Sequence, residues 1–268
     1  MKNKKLQLGI YTYFIVRGIY YFLFNNHNMS IIDLLCILMF SLLFLTILIQ
    51  IKDRPIYKYI LFPIFIFILI IGTSNLVSFI LYQYLPKYSI FIIYGSILLL
   101  LIYIVKEQKI VFIRSIQIYF FISILIYILI FINLIYRVNI INLSLSLSDF
   151  NIRNIIWYSL ILSIITRIYL LFFEKTDISK YKSTILSSYI FTFITIILEK
   201  IVQVSILTGN SLSNYKYSFI KVLENIHFYN LIDRFDKVFS FIYLLDGFIL
   251  VFGSMFLIKD FIIQKRID

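Results

Sequence analysis

Cysteine is nearly absent from this chain, and its scarcity excludes two kinds of site. Cys36 is the only cysteine among 268 residues, so neither an intrachain disulfide nor a multi-thiolate metal site is possible. The two histidines, His27 and His227, lie in different connecting segments, which is typical of surface residues and not of a metal site. We therefore expect no metal and no cofactor.

Charged residues are also scarce. Only 14% of the residues are charged, whereas 62% are hydrophobic and the mean hydropathy is +0.97. A chain with this much apolar surface needs lipid as its solvent. In a bilayer each backbone amide has to be paired within the protein, so long apolar segments form helices. The composition predicts an all-α, polytopic integral membrane helix bundle that forms a single membrane domain over residues 1–268.

Eight apolar segments approach the length of a bilayer. They are predicted as membrane spans over residues 7–24, 31–51, 56–84, 88–105, 110–136, 155–174, 184–207 and 231–258. The first follows a basic N-terminus, as in a signal peptide. Arg17 interrupts its apolar region and no small-x-small cleavage site follows, which favours an uncleaved span. Residues 215–228 are too short and too charged to span, and their apolar spacing predicts a helix in the membrane interface.

The net charge of +12 is distributed in small groups at the ends of the spans. This pattern is typical of topology signals and argues against nucleic acid as a partner. With the N-terminus in the cytoplasm, fifteen Lys and Arg lie on the cytoplasmic side, three at each terminus and three at each of three loops, against seven outside. Eight spans return the C-terminus to the same side, so we predict that both termini are cytoplasmic.

Four charged residues lie well inside the apolar segments. Arg17 lies in the first span, Arg167 in the sixth, Glu199 in the seventh and Asp246 in the eighth. Each charge in hydrocarbon costs about 2.5–3.5 kcal/mol, so we predict that these two cations and two anions form a buried network. The functional interpretation is a solute or ion pathway. The alternative is that Arg167 and Lys200 extend to an interface and that Asp246 only pairs with a neighbouring helix.

Two groups of small polar residues lie within the spans. Gly72-Thr73-Ser74-Asn75 is in the third span, and Ser159, Ser163 and Thr166 share one face of the sixth. Such groups either allow helices to pack closely and hydrogen-bond or line a ligand cavity. Because alanine is absent from the chain, the packing interpretation is favoured. Ser74, Asn75, Ser163 and Thr166 are nevertheless candidate ligand-binding residues.

Catalytic motifs are lacking. The sequence contains no HExxH, no GxSxG and no phosphate-binding loop. Asp233 and Asp236, at i,i+3 spacing with Arg234 and Lys237 beside them, are typical of a salt-bridged helix entry and not of an acid/base pair. We therefore predict that the protein is not an enzyme.

Residues 206–250 follow a longer pattern. One span ends in a loop that contains Gly209. Tyr217 and Ile226 then mark a short interfacial helix. Residues 232–236 (IDRFD) lead from it into a span that contains Gly247. This order resembles the GerAB-type spore germination permeases of the amino acid/polyamine/organocation transporter superfamily. The first span, from Gln7 to Arg17-Gly18, looks like the opening of the same family.

The resemblance implies an inverted-repeat fold of the LeuT type, with spans one to five as one repeat and spans six to eight as an inverted copy. It also implies a permease-like subunit that senses a small solute such as an amino acid in the spore inner membrane. Such a subunit works in a hetero-oligomer with other germination-receptor subunits, one a larger membrane protein and one a lipoprotein. Only Arg17 and Gly18 match a family step near the expected site, where they would bind the carboxylate of an amino acid.

The chain departs from the family in three respects. It has eight predicted spans where members have ten, it lacks the expected proline near Ser218, and its sixth span contains neither Gly nor Pro. A broken sixth helix that binds ligand is therefore not expected. The resemblance is to a short or degenerate member, whose second repeat would be truncated.

Two other classes of function stay open. One is an unrelated small multi-span carrier or exporter, and the other is a membrane scaffold subunit without transport. A sensor or carrier predicts a first span that is interrupted at Gly18 beside a cavity. A scaffold predicts a straight first helix in which Arg17 is fully paired.

Overall fold

The computed structural model describes residues 2–24, 29–50, 56–106, 109–134, 152–170, 178–207, 217–224 and 235–265. Several residues discussed above lie outside this part of the chain, among them His27, His227, Gly209, Ile226 and 232–234. Within the described residues the structure is helical and has no strand.

Nine α-helices occur in the described residues. They are α1 (Lys2–Ile19), α2 (Ile31–Gln50), α3 (Ile56–Gln83), α4 (Ile90–Lys106), α5 (Lys109–Leu134), α6 (Ile152–Leu170), α7 (Lys182–Ile206), α8 (Ser218–Glu224) and α9 (Phe235–Lys265). A π-helical segment, Tyr20–Phe24, continues α1, and a 3-10 turn, Ile178–Tyr181, precedes α7. Each of the eight predicted spans therefore contains one long helix. The largest differences are at the ends, because the N-terminal lysines extend α1 and Lys259–Lys265 extends α9.

Five of the described helical stretches are long and apolar enough to cross a membrane. They are Ile31–Gln50, Phe62–Gln83, Val111–Ile132, Ile178–Ile206 and Asp236–Ile262. The apolar part of α4, Ile90–Ile104, is shorter. Helices α1 and α6 are of similar length but carry more charged and polar residues.

The outer face of the bundle is apolar. Phe91 is 81% exposed and Leu99 71% exposed on α4, and Met39 on α2 is 70% exposed. Large apolar side chains at this density would aggregate in water, but they match hydrocarbon. Together with the five apolar helices, this surface identifies the chain as an integral α-helical membrane protein in contact with lipid.

Helix α1 lies at the centre of the bundle. Every residue from 8 to 19 is buried, and the helix packs against α5, α6, α7 and α9. A helix that is covered on all sides meets other helices instead of lipid, so it can carry polar groups wherever a neighbour supplies a partner. This position explains why the first predicted span can carry an arginine.

The short helix α8 lies within the segment predicted as an interfacial helix. It covers Ser218–Glu224 and packs against α7 and α9, while residues 215–216 and 225–228 of that segment lie outside the described part of the chain. Its apolar residues Phe219, Ile220 and Leu223 are buried against protein. The charged pair Lys221–Glu224 lies on the opposite, partly exposed side at 2.6 Å.

Members of both small polar groups contact neighbouring helices. Ser159 and Ser163 of α6 each donate to a backbone carbonyl of α2, on Ile37 at 3.3 Å and on Ser41 at 2.9 Å. A Cβ atom on Gly72 of α3 would lie only 3.1 Å from the Val251 side chain of α9. These contacts agree with the packing interpretation of both groups.

Candidate functional site

Three ionisable side chains from three helices meet inside the bundle. Arg17 of α1 donates from Nε to Asp246 Oδ2 of α9 and from Nη1 to Glu199 Oε1 of α7, at 2.9 Å in each case. None of the three side chains is more than 2% exposed. Charge-assisted hydrogen bonds are strong in such a low-dielectric interior. We refer to Arg17, Glu199 and Asp246 as the Arg17 cluster.

Three tyrosine rings surround the guanidinium group of the cluster. Its central carbon lies 4.7 Å from the ring centre of Tyr127, 5.0 Å from that of Tyr21 and 5.5 Å from that of Tyr13, all within cation–π range. The Tyr127 hydroxyl accepts a hydrogen bond from Arg17 Nη2 and donates to Glu199 Oε1 at 2.6 Å. The Tyr21 hydroxyl donates to Glu199 Oε2. Arg17 and Glu199 are thus both surrounded by partners from the protein.

These tyrosines carry little signal in the sequence, because they are three of 22. One signal does exist. Tyr13, Arg17 and Tyr21 are spaced by four residues, and this spacing places the three side chains on one face of a helix. Tyr127, on α5, has no comparable mark, so only the structure assigns it to the site.

Gly18 allows α9 to approach α1 closely. Helix α1 continues through Gly18 to Ile19 without a break, in contrast to the interrupted helix expected for a sensor or carrier. A Cβ atom at Gly18 would lie 2.9 Å from the carbonyl oxygen of Asp246 and 3.0 Å from the Cβ atom of Leu250. The missing side chain therefore sets the distance at which Arg17 reaches Asp246.

The irregular part of the first span is the π-helical segment, one turn beyond Arg17. Its Phe22 carbonyl accepts a hydrogen bond from the side-chain amide of Asn75 on α3. The Phe22 ring lies against Gly247, where a Cβ atom would approach it to 2.6 Å. Wide turns of this kind frequently occur at functional sites. Tyr21 and Phe22 thus connect the segment to both sides of the Arg17 cluster.

Asn75→Ala tests how much the π-helical segment depends on this hydrogen bond. We expect the free energy of unfolding to fall by about 1 kcal/mol, because the Phe22 carbonyl loses its side-chain donor. The matched control is Ser96→Ala on α4, where an exposed hydroxyl bonds only to its own helix. Thermal unfolding in detergent measures both variants. Equal melting temperatures for the two would contradict the structural importance of Asn75.

The other candidate residues do not join the cluster. Ser163 bonds to α2, the Thr166 side chain is buried in α6, and Ser74 is half-buried in α3. Arg167, predicted to belong to the charge network, donates from Nε to the Leu48 carbonyl at 3.1 Å instead. Its helix therefore connects to α2. The structure brings together Arg17, Glu199 and Asp246 and separates them from the serine and threonine candidates.

A cavity of about 310 Å³ opens between α1, α5 and α7. Its polar lining consists of Lys5 on α1 and of Thr184, Ser187 and Ser188 on α7. Tyr13 also lines the cavity, one helical turn from Arg17, and its ring makes an edge-to-face contact with Phe120 at 5.2 Å. The cavity therefore approaches the Arg17 cluster through a single tyrosine.

Among the described residues there is no group of three or more His, Cys, Asp or Glu side chains that could hold a metal ion. No family model, no curated protein and no solved structure matches the chain. The resemblance to the GerAB-type permeases consequently depends on the residues quoted for it. The function has to be argued from the site.

Proposed function

We propose that the chain is a permease-like membrane protein that recognises a small solute such as an amino acid. In its specific form, the proposal is a spore germination receptor subunit in the spore inner membrane, partnered by other germination-receptor subunits. The proposal includes eight spans, cytoplasmic termini and a truncated inverted-repeat fold of the LeuT type. It rests on the sequence resemblance and on the polar interior of the bundle.

The observation that carries the proposal is the position of Tyr13. This residue lines a cavity large enough for a small solute, and its ring also lies against the guanidinium group of Arg17. Ligand cavities typically measure about 300–1,000 Å³, so this one suits a small molecule. A solute in the cavity would displace or fix Tyr13 and thereby act on a charge cluster that holds α1, α7 and α9 together.

The lining suggests how an amino acid would be held. Arg17 already pairs with two carboxylates, so it does not offer its donors to a third. Lys5, Thr184, Ser187 and Ser188 are the lining residues that carry an ammonium group or a hydroxyl group. A solute carboxylate would bind to Lys5 and to these hydroxyls, while an apolar side chain would lie against Phe120.

Ser187→Leu tests the cavity as the solute site. The Ser187 hydroxyl bonds only to the Thr184 carbonyl of its own helix, so the change fills the cavity without breaking a contact between helices. We expect amino acids that raise the melting temperature of the unmodified protein to have no effect on this variant. Ser96→Leu, on the exposed face of α4, is the control and should respond normally. A full response in Ser187→Leu, or no response of the unmodified protein to any amino acid, would contradict the proposal.

The receptor assignment has its own test. Genes for a larger membrane subunit and a lipoprotein subunit are expected beside the gene for this chain, and the three proteins should co-purify from membranes. A solute-binding protein without such neighbours would instead be the small carrier or exporter. Uptake of the bound amino acid by proteoliposomes would then identify transport.

The membrane scaffold is the second candidate, and one observation favours it. Helix α1 is unbroken at Gly18, and Arg17 is paired with protein groups, which are the features expected of a scaffold. The Ser187→Leu experiment separates the two candidates, since a scaffold binds no solute in either form.

A further inference from the structure

The Arg17 cluster contains more negative than positive charge. One guanidinium group faces two carboxyl groups, and all three side chains are almost completely buried. Neither Glu199 nor Asp246 pairs with a second cation among the described residues. The neighbouring Lys200 interacts with Asp33, near the start of α2. An unbalanced charge in a membrane interior is costly, so the cluster needs one further positive charge.

Hydrogen bonding distinguishes the two carboxyl groups. Glu199 accepts from three donors, since Arg17 and Tyr127 donate to Oε1 and Tyr21 donates to Oε2. Three donors stabilise a carboxylate in its ionised form. Asp246 accepts only from Arg17, through Oδ2, and its Oδ1 is buried without a partner. The missing positive charge therefore belongs at Asp246 Oδ1.

The backbone at Asp246 and Gly247 is closely packed. The Asp246 carbonyl lies against Gly18, and the Phe22 ring fills the space next to Gly247. The other titratable groups that face the cluster from the described residues are tyrosines: Tyr13, Tyr20 and Tyr21 from the first span, Tyr127 from α5 and Tyr243 from α9. Neutral tyrosines cannot supply the charge. A proton can, because it needs no cavity.

We propose that Asp246 is a membrane-buried proton-binding residue that carries its proton on Oδ1 while Glu199 stays ionised. With this proton the cluster is neutral, and without it the cluster has one net negative charge. The π-helical segment contacts both sides of the cluster, through Tyr21 at Glu199 and through Phe22 at Gly247. Loss of the proton would therefore act on this segment. Coupling of that change to a solute rests on the proposed function, whereas the proton site itself does not.

The infrared spectrum of the purified protein tests the proton site without any solute. A protonated carboxyl group has a carbonyl stretch separate from that of a carboxylate and from the amide bands. We expect this band at neutral pH, and we expect Asp246→Asn to abolish it. Glu224→Gln changes a partly exposed, ion-paired carboxylate and should leave the band intact. Asparagine can accept from Arg17 and places its amide where Oδ1 has no partner, so this variant should fold.

Three results would overturn the assignment: no carboxyl band in the unmodified protein, a band that survives Asp246→Asn, or a band that disappears when sodium is added at constant pH. The last would indicate a metal cation in place of the proton. Isotopic labelling keeps the test independent of the variant's folding. Carbon-13 in aspartate should shift the band, and a shift with labelled glutamate would contradict the proposal. Absence of solute binding would count against the proposed function alone.

Discussion

Arg17→Leu is expected to lower the free energy of unfolding by about 3–5 kcal/mol, the largest single effect we anticipate in this chain. The change removes the only cation that pairs with Glu199 or Asp246 among the described residues. It also removes the donors to Thr195 and Tyr127 and the charge at the centre of three tyrosine rings. Thermal unfolding in detergent, followed by circular dichroism, measures the loss.

Arg114→Leu is the matched control, because Arg114 is an exposed arginine on α5 and lies away from the cluster. We expect it to melt close to the unmodified protein. A second change in Arg17→Leu then identifies the carboxyl group that bears the charge. Adding Glu199→Gln should recover most of the lost stability, whereas adding Asp246→Asn should recover little, since Asp246 is already protonated. An Arg17→Leu protein as stable as the unmodified one would contradict the role of the cluster.

The helices of this protein are predictable from the sequence because the solvent around them is lipid. Hydrocarbon offers no hydrogen bonds to the backbone, so a long apolar segment has one regular structure open to it. The helix that begins at Ile31, where the sequence predicts a span to begin, illustrates this rule. The same solvent penalises charge, which is why the sequence predicts a buried network of Arg17, Arg167, Glu199 and Asp246, of which the structure brings three together.

Contacts between helices are much less predictable. Arg167 is also an arginine and lies at a similar depth in its helix as Arg17, yet it donates to the Leu48 carbonyl and does not join the Arg17 cluster. Which face of a helix meets which neighbour depends on packing over the entire bundle, and sequence spacing does not determine it. Tyr127 illustrates the same limit, since it enters the site from α5 without any local mark.

Gly18 shows that one residue type can serve two purposes. A glycine inside a span predicts either a break in the helix or a close contact between helices, and both follow from its missing Cβ atom. The structure has the close contact, while the irregular backbone begins two residues later, at Tyr20.

Gly18→Ala is accordingly expected to lower the free energy of unfolding by about 1–3 kcal/mol, the cost of inserting a methyl group into a well-packed interior. The new Cβ atom would lie 2.9 Å from the Asp246 carbonyl oxygen and 3.0 Å from the Leu250 Cβ atom. The carbonyl belongs to the backbone of α9 and cannot rotate away, so the whole helix has to move and carries Asp246 away from Arg17.

The control is Gly95→Ala on α4, where no atom lies within 4 Å of the added methyl group. Because alanine is favoured over glycine in a helix by about 1 kcal/mol, this control should melt at the same temperature as the unmodified protein or slightly above it. If Gly18→Ala melts as high as Gly95→Ala, then α1 and α9 do not pack as closely as the structure indicates, and the geometry of the Arg17 cluster is wrong.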